Sequence, residues 1–121
     1  ELLSETLKKI DIVICTALIP GKKAPIIIKE NMIINMQAGS VIYDLAAVQG
    51  GNTALTKVDK IVDKNGVKIM GETNILNKLA ISASTLYAKN VFNFVSNLLD
   101  KDKKQININL EDEIIKKTLI E

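Results

Sequence analysis

The sequence predicts an α/β fold built on a parallel sheet, and three observations carry that prediction. Residues 12–15 of "IDIVICTAL" form a short, continuous apolar run with no polar alternation, as in a strand buried on both faces. Runs of this kind alternate along the chain with segments of helical spacing. Three of them end in small, turn-prone residues, "TALIPG", "DLAAVQGGN" and "ETN". In open α/β sheets, ligands bind beyond such carboxyl ends.

The elements follow in order. Leu2, Leu3 and Leu7 recur at helical spacing, and Lys8 and Lys9 suit a helix C-terminus. The chain opens with "ELLSETLKKID", without Met, which reads as the end of a helix rather than the start of a protein. After the first strand and the loop "IPGKKAP", apolar residues at 28, 32, 33 and 36 predict a helix that Gly39 stops from the C′ position. "SVIYDLAA" reads as a second strand, leading into "VQGGN", a loop that needs unusual backbone angles. Asn65-Gly66 marks a hairpin turn between two further short strands.

A long helix is expected next, with Ser84 as its N-cap. Its stripe is Ala83, Tyr87, Val91, Val95 and Leu98, widened by Leu86, Phe94 and Leu99. "DKDKK" at 100–104 reads as a solvated boundary. Ile106, Ile108 and Leu110 alternate with Asn107 and Asn109 as in a half-buried strand, paired with 114–120. Internal repeats and low-complexity segments are not seen.

Composition narrows the function. With 47% hydrophobic and 25% charged residues in 121, the chain is globular and long enough to bury a core. All 16 cationic residues are Lys, and aromatics make up 3%. Bidentate guanine or phosphate recognition and base stacking therefore lack their usual side chains, which argues against nucleic acid. With no His, and Cys15 alone in an apolar run, His-based catalysis, a His metal site and an internal disulfide are excluded. Cys15 reads as a buried small hydrophobe. The apolar runs fall short of the roughly 18 residues of a membrane span, and no signal peptide is visible. Neither a catalytic side chain nor a metal site is expected.

At the strand ends, Asp44 suits a ribose contact, a loop-orienting role or a cap. Lys22 and Lys23 suit a phosphate or a solvated loop. Gly50-Gly51 suits an anion-binding nest or a plain turn. The G-x-G-x-x-G pattern is not present.

The stretch "DIVICTALIPGKKAPIIIKENMIINMQAGSVIYDLAAVQGGN", followed by "GETN", "SASTLYAKNVFNF" and "LEDE", resembles the NAD(H)-binding lobe of the alpha subunit of proton-translocating NAD(P)+ transhydrogenase. The resemblance covers essentially the whole chain. It implies the later half of a Rossmann-like parallel sheet, strands 4, 5 and 6 of the order 3-2-1-4-5-6, with a long crossover helix and a terminal strand pair. Residues 1–78 would be a partial NAD(H)-binding lobe, 79–99 a connecting helix and 100–121 a segment returning to the first lobe. The implied cofactor is NAD(H), held mostly by backbone at Thr16, Ala17 and Leu18, at Asp44, Leu45 and Ala46, and at Thr73 and Asn74.

Further consequences of the resemblance concern partners and activity. The activity implied is hydride transfer between NAD(H) and NADP(H), at the cytoplasmic face of a bacterial inner membrane. Partners would be the upstream part of the same domain, which carries the glycine fingerprint, and the NADP(H)-binding and membrane domains. A homo-oligomer is also expected, because the 12–15 strand would have an unprotected edge. The related alanine dehydrogenases are the rival, but they are expected to carry a catalytic aspartate at or beside position 48, where this chain has Val48. After "TN", Leu76 and Lys78 stand where the family usually has Pro and often Arg. A remnant that folds or self-associates without binding nucleotide is the alternative from another class.

Overall fold

In the computed structural model, which describes residues 2–120, four strands form one sheet: β1 (Ile12–Cys15), β2 (Val41–Asp44), β3 (Ile61–Lys64) and β4 (Val67–Met70). The spatial order is β1-β2-β4-β3. β1, β2 and β4 are parallel neighbours in chain order, as expected for consecutive strands on one side of a doubly wound sheet. β3 is joined to β4 as an antiparallel hairpin. Asn65 and Gly66 take φ of 54° and 80° at its tip, the left-handed pair that the Asn-Gly signal predicts.

The chain divides into two compact units, Glu1–Ile75 and Leu76–Glu121. In the first, the register aligns Val13, Ile42, Ile69 and Val62 across one face of the sheet. Helix α1 (Leu2–Leu7) and helix α2 (Glu30–Ile34) contribute Leu7 and Ile33 to this core, and Ile28, Met36 and Val67 complete it. The opposite face differs from the expectation of a strand buried on both sides. Ile12 and Ile14 are 68% and 64% exposed. Together with Val41, Tyr43, Leu45 and Ile75 they line an open apolar depression of about 370 Å³. The run is apolar on both faces, yet among the described residues of this unit only one face is covered.

Two details of the α2 region also differ. The helix is five residues long, with Asn35 as C-cap. Ile28 lies outside it in a parallel bridge with Thr53, because the backbone N–H groups of Ile27 and Ile28 donate to the Asn52 carbonyl at 2.8 and 3.0 Å. Gly39, at φ 93°, is no helix C′ residue. It turns the chain into β2, and its N–H donates to the Gly66 carbonyl at 2.8 Å.

A short helix, α3 (Ile75–Lys78), precedes the long helix α4 (Ala80–Asn97). Ser84 is inside α4, whose N-cap is Leu79. None of the residues of α4 is buried, so its apolar stripe is largely solvent-facing. β5 (Leu99–Asp100) and β6 (Gln105–Ile106) form a terminal antiparallel pair, with the charged 101–104 segment as its turn. The expected strand partner at 114–120 is instead helix α5 (Glu113–Thr118). Asp112 caps it, accepting from Ile114 N at 2.8 Å and Ile115 N at 3.1 Å, and Glu113 pairs with Lys117 one turn on.

Candidate functional site

The carboxyl ends of β1, β2 and β4 lie side by side, and their exit loops bring together most of the residues singled out in the sequence. Thr16, Ala17 and Leu18 leave β1, Leu45 and Ala46 follow Asp44 at the end of β2, and Thr73 and Asn74 follow β4. Thr16, Leu18 and Asn74 are exposed, Ala17, Leu45 and Thr73 half-buried, and Asp44 and Ala46 fully buried.

Asp44 is the organiser of the middle exit. One carboxylate oxygen accepts from Ala46 N at 3.0 Å. The other accepts from Asn52 N at 2.6 Å, Thr53 N at 3.3 Å and the Thr56 hydroxyl at 2.5 Å. Four donors on a carboxylate that is 0% exposed make it the hub of the 44–56 loop. Of the roles open to it in the sequence, loop orientation is the one this geometry performs.

Asn52 closes the "DLAAVQGGN" stretch without any local signal that marks it as functional, yet it ties the β2 exit to the β1 exit. Its side-chain nitrogen donates to the carbonyls of Ala17 at 2.8 Å and Pro25 at 2.9 Å, and its oxygen accepts from Ala17 N at 2.9 Å. The amide thus closes a reciprocal pair with the backbone of Ala17. Asn52 is fully buried, so both ends of its amide are satisfied inside the protein. The carboxyamide of Gln49, oriented so that its nitrogen donates, reaches Ile19 O at 3.2 Å and Lys22 O at 2.8 Å. The Gln49 carbonyl accepts from Ala24 N at 2.8 Å.

The two glycines serve packing within this loop. Gly50 and Gly51 have φ of 99° and 83°. Their N–H groups donate to Ala47 O and Ala46 O at 3.0 and 2.9 Å, so the anion nest is not formed and the turn is the correct reading. A Cβ on Gly51 would lie 2.5 Å from Thr56 Cβ and 2.7 Å from Asp44 Oδ2. Lys22 and Lys23 are exposed, and the aliphatic stem of Lys23 lies over Gly50. Cys15, at the end of β1, is buried, and its thiol is pushed up to about 11, first by that burial and then by the Asp44 charge. It is a packing residue, as read from the sequence.

At the β4 exit, Thr73 donates both its N–H, at 2.9 Å, and its hydroxyl, at 2.6 Å, to Oδ1 of Asp59. The Tyr43 hydroxyl donates to Glu72 beside it, at 2.5 Å. The donor set facing the exits is therefore backbone, hydroxyl and amide, with apolar Leu18 and Leu45. This chemistry fits the neutral, planar and hydroxyl-bearing parts of a dinucleotide. It supplies no pyrophosphate cradle, since the N–H groups of Gly50 and Gly51 are spent internally.

Residues 1–121 match the family model described as "Alanine dehydrogenase/PNT, C-terminal domain". This chain belongs to that family. The first part of the split NAD(P) transhydrogenase subunit alpha from Rhodospirillum rubrum is 49% identical over 120 residues, 99% of this chain and 31% of that protein. NAD(P) transhydrogenase subunit alpha from Cereibacter sphaeroides is 46% identical over 113 residues, 93% of this chain and 22% of that protein. The crystal structure of transhydrogenase from Sinorhizobium meliloti superposes with a TM-score of 0.72 at 41% identity, over 95% of this chain and 32% of that one. An L-alanine dehydrogenase structure superposes at 0.67 and 25% identity, over 80% and 28%. This member of the alanine dehydrogenase/PNT C-terminal family spans about a third or less of these relatives. The resemblance drawn from "TALIPGKKAP" and "DLAAVQGGN" thus holds, with transhydrogenase alpha subunits the more similar branch.

Proposed function

We propose that this chain is the later part of the NAD(H)-binding component of a proton-translocating transhydrogenase. The observation that carries the reading is the row of three exits at the ends of β1, β2 and β4, with the first two held to one another by Asp44 and Asn52. Thr16, Ala17 and Leu18, then Asp44, Leu45 and Ala46, then Thr73 and Asn74 form the cofactor side. Asp44 acts there through the loop it organises. When bound, the nicotinamide supplies the hydride chemistry, with NADP(H) as the other reactant. The protein's part is to orient it and exclude water, which agrees with an exit row that offers no side-chain nucleophile. Residues 1–78 serve as the nucleotide lobe, 79–99 as the connecting helix and 100–121 as a segment of the first lobe.

The pyrophosphate is assigned to the upstream part of the domain, which would pair along the free edge of β1 and cover Ile12 and Ile14. The NADP(H)-binding and membrane domains are the remaining partners, and they would hold the chain peripherally at the cytoplasmic face of the inner membrane. Among the described residues no helix is long and apolar enough to cross one. Val48, exposed where the alanine-oxidising branch is expected to use a carboxylate, supports transhydrogenation over alanine oxidation.

The test is an NADH titration, by fluorescence or calorimetry, of the chain alone and of the domain assembled with its upstream part. The assembled domain should bind, and the chain alone should bind more weakly than about 10 µM, near −7 kcal/mol. An assembled domain that does not bind NADH at millimolar concentration refutes the reading. Ordinary turnover of L-alanine with NAD+ would move the chain to the rival branch.

A further inference from the structure

We propose that Asp59 is a positioning residue of the nucleotide site, fixing Thr73 so that its hydroxyl presents only lone pairs to the ligand. The proposal rests on the reading of Thr73 and Asn74 as cofactor contacts. Asp59 and Thr73 are fourteen residues apart, and the β3–β4 hairpin folds them together just beyond its Ile61–Met70 pair. The connection is tight. Asp59 N donates to Gly71 O at 2.7 Å and Gly71 N to Lys60 O at 3.2 Å. A Cβ on Gly71 would collide with the Lys57 carbonyl oxygen.

Two features single out the carboxylate. Asp59 holds a left-handed backbone, φ 52°, where glycine would be the unstrained choice for the turn alone. Its Oδ1 takes both protons that Thr73 can donate. The same two bonds, the hydroxyl first, hold the Asp59 carboxyl below the usual carboxylate range, so it is ionised and a strong acceptor at neutral pH. A hydroxyl whose proton is committed in this way offers its remaining lone pairs outward. The group it accepts from must be a donor, such as a ribose hydroxyl or a carboxamide NH2, and a phosphate oxygen is disfavoured.

The experiment measures NADH affinity and melting temperature of the assembled domain for wild type, Asp59→Gly and Asp59→Asn. Glycine relieves the left-handed backbone but deletes the acceptor. Asparagine tolerates that backbone and keeps an oxygen that can take both Thr73 protons. Asp59→Gly should melt no lower than wild type yet bind NADH about 5- to 10-fold more weakly, the size of one lost hydrogen bond. Asp59→Asn should stay within about 2-fold of wild type, as expected when the bonds themselves persist. A nicotinic-acid analogue of NAD+, which lacks the amide donor, separates the two sources. If the carboxamide is the donor, wild type discriminates against the analogue more than Asp59→Gly does; if ribose is, both discriminate equally. Equal NADH affinity in wild type and Asp59→Gly overturns the proposal alone. So does Asp59→Asn binding as weakly as Asp59→Gly, which would make charge rather than positioning the cause. A wild-type domain that does not bind NADH removes the functional reading and this proposal with it.

Discussion

Replacing Asp44 by Asn separates a loop-organising residue from a ligand contact. The carboxylate accepts four hydrogen bonds from Ala46 N, Asn52 N, Thr53 N and Thr56 Oγ1, and its residue is 0% exposed. In the better orientation, the Asn oxygen keeps the three donors on the Oδ2 side and the new NH2 faces Ala46 N–H. One buried N–H then loses its acceptor, at about 1–3 kcal/mol, and three bonds lose their charge assistance, at about 0.3–1 kcal/mol each. The expected loss is about 4 kcal/mol. With m of roughly 1.5 kcal/mol/M in urea, the midpoint should fall by about 2–3 M. Urea unfolding of the assembled domain, followed by circular dichroism, measures it, with NADH affinity read on the folded fraction. A variant within about 0.5 kcal/mol of wild type that binds NADH tenfold more weakly would refute the reasoning. Asp44 would then be a direct ligand contact with a dispensable structural role.

The remaining predictions concern neighbouring features. Gly51→Ala should cost about 2–4 kcal/mol, because it combines a φ of 83° with a Cβ 2.5 Å from that of Thr56; a neutral melting temperature would show that the loop yields. The Cys15 thiol, raised to about 11 from 9.0, should react slowly with a disulfide reagent at pH 8. The unfolded chain loses that proton first, so stability should decline between about pH 9 and 11; rapid labelling at pH 8 or a flat stability profile across that window contradicts the burial argument. The chain expressed alone should sediment as an oligomer at micromolar concentration, since β1 has a free edge with Ile12 and Ile14 exposed; a clean monomer with slow amide exchange in residues 12–16 would show that the edge is protected.

What the sequence made legible was set by local rules. The apolar runs and the Asn65-Gly66 turn determine strands, order and hairpin, because burial and φ > 0 leave few choices there. The failures arise where a longer-range contact or a second local signal decides. Residues 27–28 look helical by spacing, but the Asn52 carbonyl takes their N–H groups and holds them extended. The 113–118 helix is readable from Asp112 at the N-cap, Glu113 in the first turn and Lys116 and Lys117 in the last; the alternation just before it draws the strand pattern too far. Asn52 is easily overlooked because no local motif says that a loop amide will close on Ala17, 35 residues earlier. Asp59 is more accessible to sequence reasoning. With the hairpin register set by Asn65-Gly66, position 59 falls opposite the exit of β4.

These corrections share one physical cause. In the three exits the conspicuous polar side chains are turned on the protein itself: Asp44 on four donors, Asn52 on Ala17 and Pro25, Asp59 on Thr73. Such side chains stiffen the loops and leave backbone and apolar surface as the outward chemistry. A site of this kind gains affinity from preorganisation, since the ordering cost is met during folding rather than on binding. It follows that substitutions at the hubs will weaken nucleotide binding without removing any direct contact. It also follows that the strongest ligand charges, the phosphates, must find their partners beyond these three loops.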